Sequence, residues 1–143
     1  NIIDAARLGL VDKVRHFLTI NTNDGNAIVD SANKYQWTAL HKASFKGYLD
    51  IVRLLINHKG NINLQTSDGN TALMLASWKG KLNVVKELLD NDADHELRNG
   101  KGKTARMVAE DKRHKHCIDA IDQYILNAAS SNVLPSKRKK GDA

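Results

Sequence analysis

The sequence has one cysteine and no long apolar run, and each shortage excludes a class of protein. Cys117 is the single cysteine, so no disulfide can form within the chain, as is usual in a reducing compartment. A membrane-spanning helix needs a run of about 18 apolar residues, and the chain has none; nor does it show a signal peptide. The sequence therefore predicts neither secretion nor membrane insertion.

A dense basic surface is also missing from most of the chain. The net charge is +6, but residues 137–140 contribute +4 and Asp142 removes 1, so the last residues hold half of it. Proteins that bind a nucleic acid duplex usually carry their basic side chains clustered on one face. We therefore do not expect nucleic acid to be the main ligand.

The chain does have a repeat of fixed length. The segments TALHKA, TALMLA and TARMVA begin at Thr38, Thr71 and Thr104, each 33 residues after the one before. Gly47 and Gly80 are 33 residues apart as well. A fixed period of this kind indicates copies of one supersecondary unit.

The 33-residue period with its T-x-L-H-x-A core resembles the ankyrin repeat, and the resemblance extends to about Asn127. It implies an all-α solenoid of helix–turn–helix units joined by β-hairpin loops. The first unit is weaker, with five extra residues near 21–25. We predict four units, the outer two acting as caps, and a flexible basic tail, at about 1–32, 33–65, 66–98, 99–127 and 128–143.

The resemblance also implies where a partner would bind. Ankyrin partners usually contact the hairpin tips and the exposed face of the first helices, which together line a concave groove. Carried onto this sequence by position, the predicted protein-binding residues are Lys34, Tyr35, Trp37, Phe45, Lys46, Asp68, Asn70, Trp78, Lys79, Lys101, Lys103, Asp111 and Lys112.

Aromatic residues make up only 5% of the chain, yet Trp37, Phe45 and Trp78 all fall where this fold exposes side chains. Exposed apolar patches often mark binding sites, and tryptophan is enriched among residues whose truncation costs about 2 kcal/mol or more of binding energy. Alternatively, Phe45 and Trp78 pack against each other between units and only stabilise the stack. The sequence leaves both interpretations open.

Two loops have the appearance of ligand sites but lack required residues. Residues 102–104 end like a phosphate-binding loop, but the first glycine of that motif would fall on Leu97. Residues 90–94 begin like a calcium loop, yet His95 and Lys101 replace the required glycine and glutamate. We predict that both loops are solvated turns.

Metal binding and catalysis are not expected either. Residues 114–117 contain two histidines and a cysteine, but neighbouring residues cannot close a tetrahedral zinc site. His41 lies one turn before Ser44 with no third group to orient it, and the resemblance gives this histidine a structural role. We predict no enzymatic activity, no cofactor and no metal.

The basic run in the tail has the composition of a nuclear localisation signal. Solvation alone, or other electrostatic contacts, would also explain such a run. The residues concerned are Lys137, Arg138, Lys139 and Lys140.

We predict a monomeric, non-enzymatic protein-interaction module, that is, an adaptor, inhibitor or targeting domain. Its lysines favour a partner protein with an acidic segment, in the cytoplasm, or in the nucleus if the basic run is a localisation signal. The alternative is the targeting arm of a larger enzyme or channel, which is suggested because the sequence does not begin with methionine.

Overall fold

The computed structural model describes residues 1–20 and 26–131. Helices account for most of these residues, and no strand occurs among them. The helices are α1 (Ile2–Arg7), α2 (Val11–Ile20), α3 (Asn26–Val29), α4 (Ala39–Lys46), α5 (Leu49–Asn57), α6 (Ala72–Trp78), α7 (Leu82–Asp90), α8 (Ala105–Asp111) and α9 (Lys115–Ser131).

The helices stack in two layers. In the first layer α1, α4, α6 and α8 pack on one another in that order, and in the second layer α2, α5, α7 and α9 do the same. Each first-layer helix also packs on the second-layer helix that follows it in the chain. This arrangement confirms the predicted all-α solenoid, in which each unit is stabilised mainly by its neighbours.

The apolar core runs between the two layers through all four units. The repeat places residues of the same kind at the same depth, because a 33-residue shift moves each side chain onto its equivalent in the next unit. The fully buried apolar side chains of the second layer include Val14, Ile51, Val52, Leu55, Val84, Val85, Leu88 and Ile121.

Three of the first-layer helices begin at a threonine. The Oγ atoms of Thr38, Thr71 and Thr104 accept the backbone N–H three residues later, at 3.3, 3.2 and 3.3 Å. Each bond satisfies one of the N–H groups that have no partner inside the first turn of a helix. The repeated threonine therefore sets where each of these helices begins.

The imidazole ring of His41 is buried and joins two units. Its Nδ1 atom accepts the backbone N–H of Thr38 at 2.9 Å, so the ring proton lies on Nε2, which donates to the carbonyl oxygen of Leu64 at 2.8 Å. Burial lowers the pKa of His41, which keeps the ring neutral as this geometry requires. His41 thus has the predicted structural role.

The glycines that end the first-layer helices contact the next unit. Gly47 and Gly80 have φ values of 81° and 67°, in the left-handed region that glycine adopts without a steric cost. A Cβ atom on either would also lie 2.7 Å from a side chain of the following unit, Lys81 or His114. At the equivalent position of the fourth unit, Arg113 has a φ of 61°.

Three tight turns connect the units on one side of the stack. Within them Asn33, Thr66 and Asn99 each donate a backbone N–H to the carbonyl oxygen four residues later, at 3.0, 2.9 and 3.0 Å. Neighbouring turns are linked too, since Ser67 N–H donates to the Tyr35 carbonyl at 3.0 Å and Gly100 N–H to the Asp68 carbonyl at 2.9 Å. The hairpin tips therefore form one continuous edge.

At one position the fourth unit has an ion-paired side chain where the earlier units have an apolar one. Arg106 stands where the earlier units have leucine, and its guanidinium binds both carboxylate oxygens of Asp122, at 2.6 and 3.1 Å, as well as Glu110 at 2.9 Å. These bonds raise the pKa of Arg106 and lower the pKa of Asp122. The side chain is therefore held within its own unit.

The final helix is longer than the sequence predicts. We assigned residues 128–143 to a flexible tail, but α9 continues to Ser131, because added residues extend an existing helix without a new nucleation cost. The basic run Lys137–Lys140 lies outside the described residues, as does the insertion at 21–25.

Candidate protein-binding groove

Three aromatic side chains from two units form a continuous row. Trp37 precedes α4, Phe45 lies in its last turn, and Trp78 is the last residue of α6. The ring centroids of Trp37 and Phe45 are 5.8 Å apart and those of Phe45 and Trp78 are 5.5 Å apart, both in edge-to-face geometry. Such pairs are favourable because the positive ring edge meets the negative ring face. We call these residues the aromatic row.

The aromatic row is packed internally but is not fully covered. Trp78 is 38% exposed, while Trp37 and Phe45 are half-buried. The packing of Phe45 on Trp78 is therefore present, as one interpretation of the sequence requires. Because the ring of Trp78 is still exposed, a binding surface is compatible with this packing and stays a prediction.

Lysine ammonium groups lie over the rings. The distances from Nζ to the ring centroid are within the range of cation–π contacts. The pairs are Lys42 over Trp37 at 4.3 Å, Lys79 over Phe45 at 5.1 Å, Lys112 over Trp78 at 5.6 Å and Lys34 over Tyr35 at 5.1 Å.

Lys42 is a groove residue that the sequence reasoning missed. It lies one helical turn before the predicted Lys46, so the two side chains share a face of α4, and this spacing was the signal available. The pKa of Lys42 is lowered, first by burial and then by the charge of Arg7. A carboxylate arriving from a partner would relieve that repulsion.

A cleft of about 760 Å³ lies beside Trp78, between the turns of the third and fourth units. It brings together seven of the thirteen predicted residues and five others. The predicted residues are Asp68, Asn70, Trp78, Lys101, Lys103, Asp111 and Lys112; the others are Ser67, Met74, Asn99, Gly100 and Val108.

Two of the charges in the cleft neutralise each other. Lys103 forms an ion pair with Asp111, so neither side chain is free for a partner without breaking that contact. Asp68, Lys101 and Lys112 make no ion pair within the described part of the chain. They are the charged groups of the cleft that remain available.

The remaining predicted residues lie outside the cleft. Lys34 and the 57% exposed Tyr35 occupy the first hairpin tip. Lys46 is exposed at the end of α4 and Lys79 at the end of α6. We refer to the aromatic row, these lysines, the tips and the cleft together as the groove surface.

The zinc-capable side chains of the fourth unit point in different directions. Cys117 is buried in the core, where burial raises the pKa of its thiol. His116 is exposed, and Nε2 of His114 lies 2.9 Å from the carbonyl oxygen of Trp78. The three side chains thus lie in different surroundings. The contact of His114 helps to hold the backbone at Trp78, which belongs to the aromatic row.

Comparison with known families decides the assignment of the fold. The family profile described as "Ankyrin repeats (3 copies)" matches residues 2–99. The chain belongs to the ankyrin repeat family. Ankyrin repeats typically serve as non-enzymatic protein-interaction modules, and stacked repeats provide extended binding surfaces. In the part of the chain that the structure describes, no helix is both long and apolar enough to cross a membrane.

Part of this ankyrin chain is similar to two much longer proteins. It is 37% identical over 65 residues to BCL-6 corepressor-like protein 1 from Mus musculus and to the protein of the same name from Homo sapiens. The matched segment covers 46% of the chain and only 3% of each relative.

Proposed function

We propose that this ankyrin domain binds a partner protein through the groove surface and acts as an adaptor, inhibitor or targeting module. The observation that carries the proposal is Trp78, a large ring that remains 38% exposed beside a cleft of about 760 Å³. Large rings beside a pocket are frequent anchors at interfaces.

The charge of the groove surface favours an acidic segment of that partner. Lys42, Lys46, Lys79, Lys101 and Lys112 make no ion pair with any described residue. Complementary charge speeds the encounter with a partner and fixes its binding register more than it adds affinity. We therefore propose that the lysines select the partner and that the aromatic rings supply most of the affinity.

The test is an affinity capture from cell extract that compares the unmodified chain with Trp78→Ala. Bound proteins are quantified by mass spectrometry, and circular dichroism checks that the variant is folded. Leu126→Ala is the matched control, because Leu126 is an exposed apolar side chain on α9, away from the aromatic row. We expect a small set of proteins to be lost with Trp78→Ala and kept with Leu126→Ala.

Two results would contradict this proposal. If all three preparations capture the same proteins, binding does not use the exposed ring. If Leu126→Ala loses the same proteins as Trp78→Ala, the effect is not specific to the groove surface.

A second proposal is that the domain is the interaction arm of a larger protein. The relatives are far longer than the matched segment and are named as corepressor-like, which favours a nuclear assembly over the enzyme or channel that the sequence suggested.

On this proposal the run Lys137–Lys140 directs nuclear import. Fusion of the chain to a fluorescent protein tests it: we expect nuclear signal that is lost when these four residues become alanine. Equal distribution of the two fusions would contradict the import role.

A further inference from the structure

Three lysines occupy the same position in successive units. Lys46, Lys79 and Lys112 are 33 residues apart and lie at the ends of α4, α6 and α8. All three are exposed, and none forms an ion pair with another described residue. We call them the lysine row.

The aromatic row holds two of these ammonium groups in place. Lys79 of the third unit lies over the ring of Phe45 in the second, and Lys112 of the fourth unit lies over Trp78 in the third, at 5.1 and 5.6 Å. The same contact is thus repeated one unit further along. The positions of these charges are set before any partner arrives, which lowers the entropy lost on binding.

The spacing of the lysine row follows from helix packing. Because α4 packs on α6 and α6 packs on α8, and packed helices lie about 8–10 Å apart, equivalent side chains repeat at about 9 Å. A bound segment that satisfies all three lysines must present a carboxylate about every 9 Å on one side.

Peptide geometry limits which segment can do this. A polyproline II helix has three residues per turn and rises about 3.1 Å per residue, so every third side chain points the same way about 9 Å further on. In a β-strand the third residue faces the opposite side. An α-helix rises about 1.5 Å per residue, so about six residues advance 9 Å, and the nearest residue on the same face is the seventh, at about 10.5 Å.

We propose that the partner segment is an acidic polyproline II helix with a carboxylate at every third position. The apolar positions between the acids would rest on the aromatic row, as proline-rich segments rest on aromatic-lined grooves. This favours polyproline II over an α-helix with an acid at every seventh residue. The inference rests on the proposed function, whose groove surface it uses.

Defined peptides and the full chain provide the test, with binding followed by fluorescence anisotropy. The first peptide repeats the triplet Glu-Pro-Pro. The second has the same composition, but its glutamates are consecutive. The third is a helical peptide with glutamate at every seventh residue and alanine or glutamine elsewhere.

A single exposed ion pair gives only a small gain in affinity. Because the triplet register lets several carboxylates pair with lysines at once, we expect the triplet peptide to bind about tenfold more tightly than the peptide with consecutive glutamates. Lys79→Glu and Lys112→Glu should each weaken the triplet peptide about fivefold or more. Lys86→Glu is the matched control, since Lys86 is an exposed lysine of α7 in the second layer.

Three results would overturn the inference: equal binding of the two proline peptides, tighter binding of the helical peptide, or a loss with Lys86→Glu as large as with Lys79→Glu. Failure of the proposed function is recognised separately. If the triplet peptide does not bind but Trp78→Ala still loses captured proteins, the groove surface is the site and only the spacing is wrong. If the triplet peptide does not bind and Trp78→Ala also loses no captured protein, both the proposed function and the inference are wrong.

Discussion

His41 and Met74 occupy the same position in successive units, but only the histidine joins its unit to the next turn. Thr71 N–H contacts Met74 Sδ at 3.5 Å, as Thr38 N–H contacts His41 Nδ1 at 2.9 Å. Methionine has no group equivalent to Nε2, which in His41 reaches the Leu64 carbonyl. The chain itself therefore offers a substitution that removes the titrating group and keeps the cap.

We predict that His41 makes stability depend on pH. Burial lowers its pKa from the ordinary value of 6.5, so below that pH the unfolded chain binds a proton that the folded chain does not. The free energy of unfolding should therefore fall as the pH decreases below about 6.5, by up to about 1.4 kcal/mol per pH unit.

Urea denaturation of the unmodified chain and His41→Met across pH 5–8 measures this effect. The difference between their free energies of unfolding should be nearly constant above about pH 7 and shift in favour of His41→Met below about pH 6.5. Parallel curves over the whole range would show that His41 does not carry the dependence.

Arg113 and Gly80 give a second matched pair. We expect Arg113→Gly to raise the free energy of unfolding by about 0.5–1 kcal/mol, because a side chain in the left-handed region costs about 1–2 kcal/mol and the added freedom of glycine when unfolded offsets part of the gain. Gly80→Ala should lower it by more than 1 kcal/mol or so, since the new Cβ would also meet His114 at 2.7 Å. Thermal denaturation measures both, and effects of the same sign would contradict the explanation.

The site residues were only partly predictable from the sequence. The family resemblance, carried over by position, predicted Trp78, Lys101 and Lys112 on one surface, and all three line the cleft. The resemblance did not predict that Lys103 pairs with Asp111, since that contact joins a turn to the end of a helix, and the rotamers of two long side chains decide it.

Among the helices, α4, α6 and α8 owe their starting points to one threonine each. We predict that Thr71→Ala lowers the free energy of unfolding by about 1 kcal/mol, because the N–H of Met74 loses its acceptor. Thr71→Ser keeps the hydroxyl and should cost less than half as much. Chemical denaturation of the two variants is the measurement, and equal losses would indicate that the threonine methyl group, rather than the cap, is responsible.

The helix bounds show which parts of the helices the sequence pattern predicts and which it does not. Glycine and threonine at fixed spacing predicted the central helices, whose ends lie within a residue or two of those positions. The tail was predicted to begin at residue 128, but α9 continues to Ser131. The polar composition that suggested a tail is also compatible with an added helical turn.

For the molecule as a whole, the main contacts join neighbouring units, so we predict a gradient of local stability. Backbone amides of α4, α5, α6 and α7 should exchange most slowly with solvent, because those helices have a unit on both sides. Amides of α2 and the last turns of α9 should exchange most quickly. Hydrogen exchange read by mass spectrometry measures this. Uniform protection across all units would show that the stack opens as one cooperative block.

The 33-residue period predicted the solenoid itself, including which helices are neighbours, because a repeat fixes the environment of each position. The period did not predict the ion pairs of Arg106 or the left-handed backbone of Arg113. Arg106 and Arg113 lie in the fourth unit, where the pattern is broken, and there individual ion pairs and backbone strain replace the shared packing rule.

The contact of Lys79 with Phe45 crosses from one unit to the previous one, and Lys112 does the same with Trp78. Each pair of lysine and ring is therefore completed only at a joint between units. In evolutionary terms, duplication of a whole 33-residue segment would add one such pair and leave the others unchanged, and loss of residues 66–98 would bring Lys112 over Phe45. If the surface binds a partner as proposed, the length of the bound segment can thus change in whole steps, without redesign of any single unit.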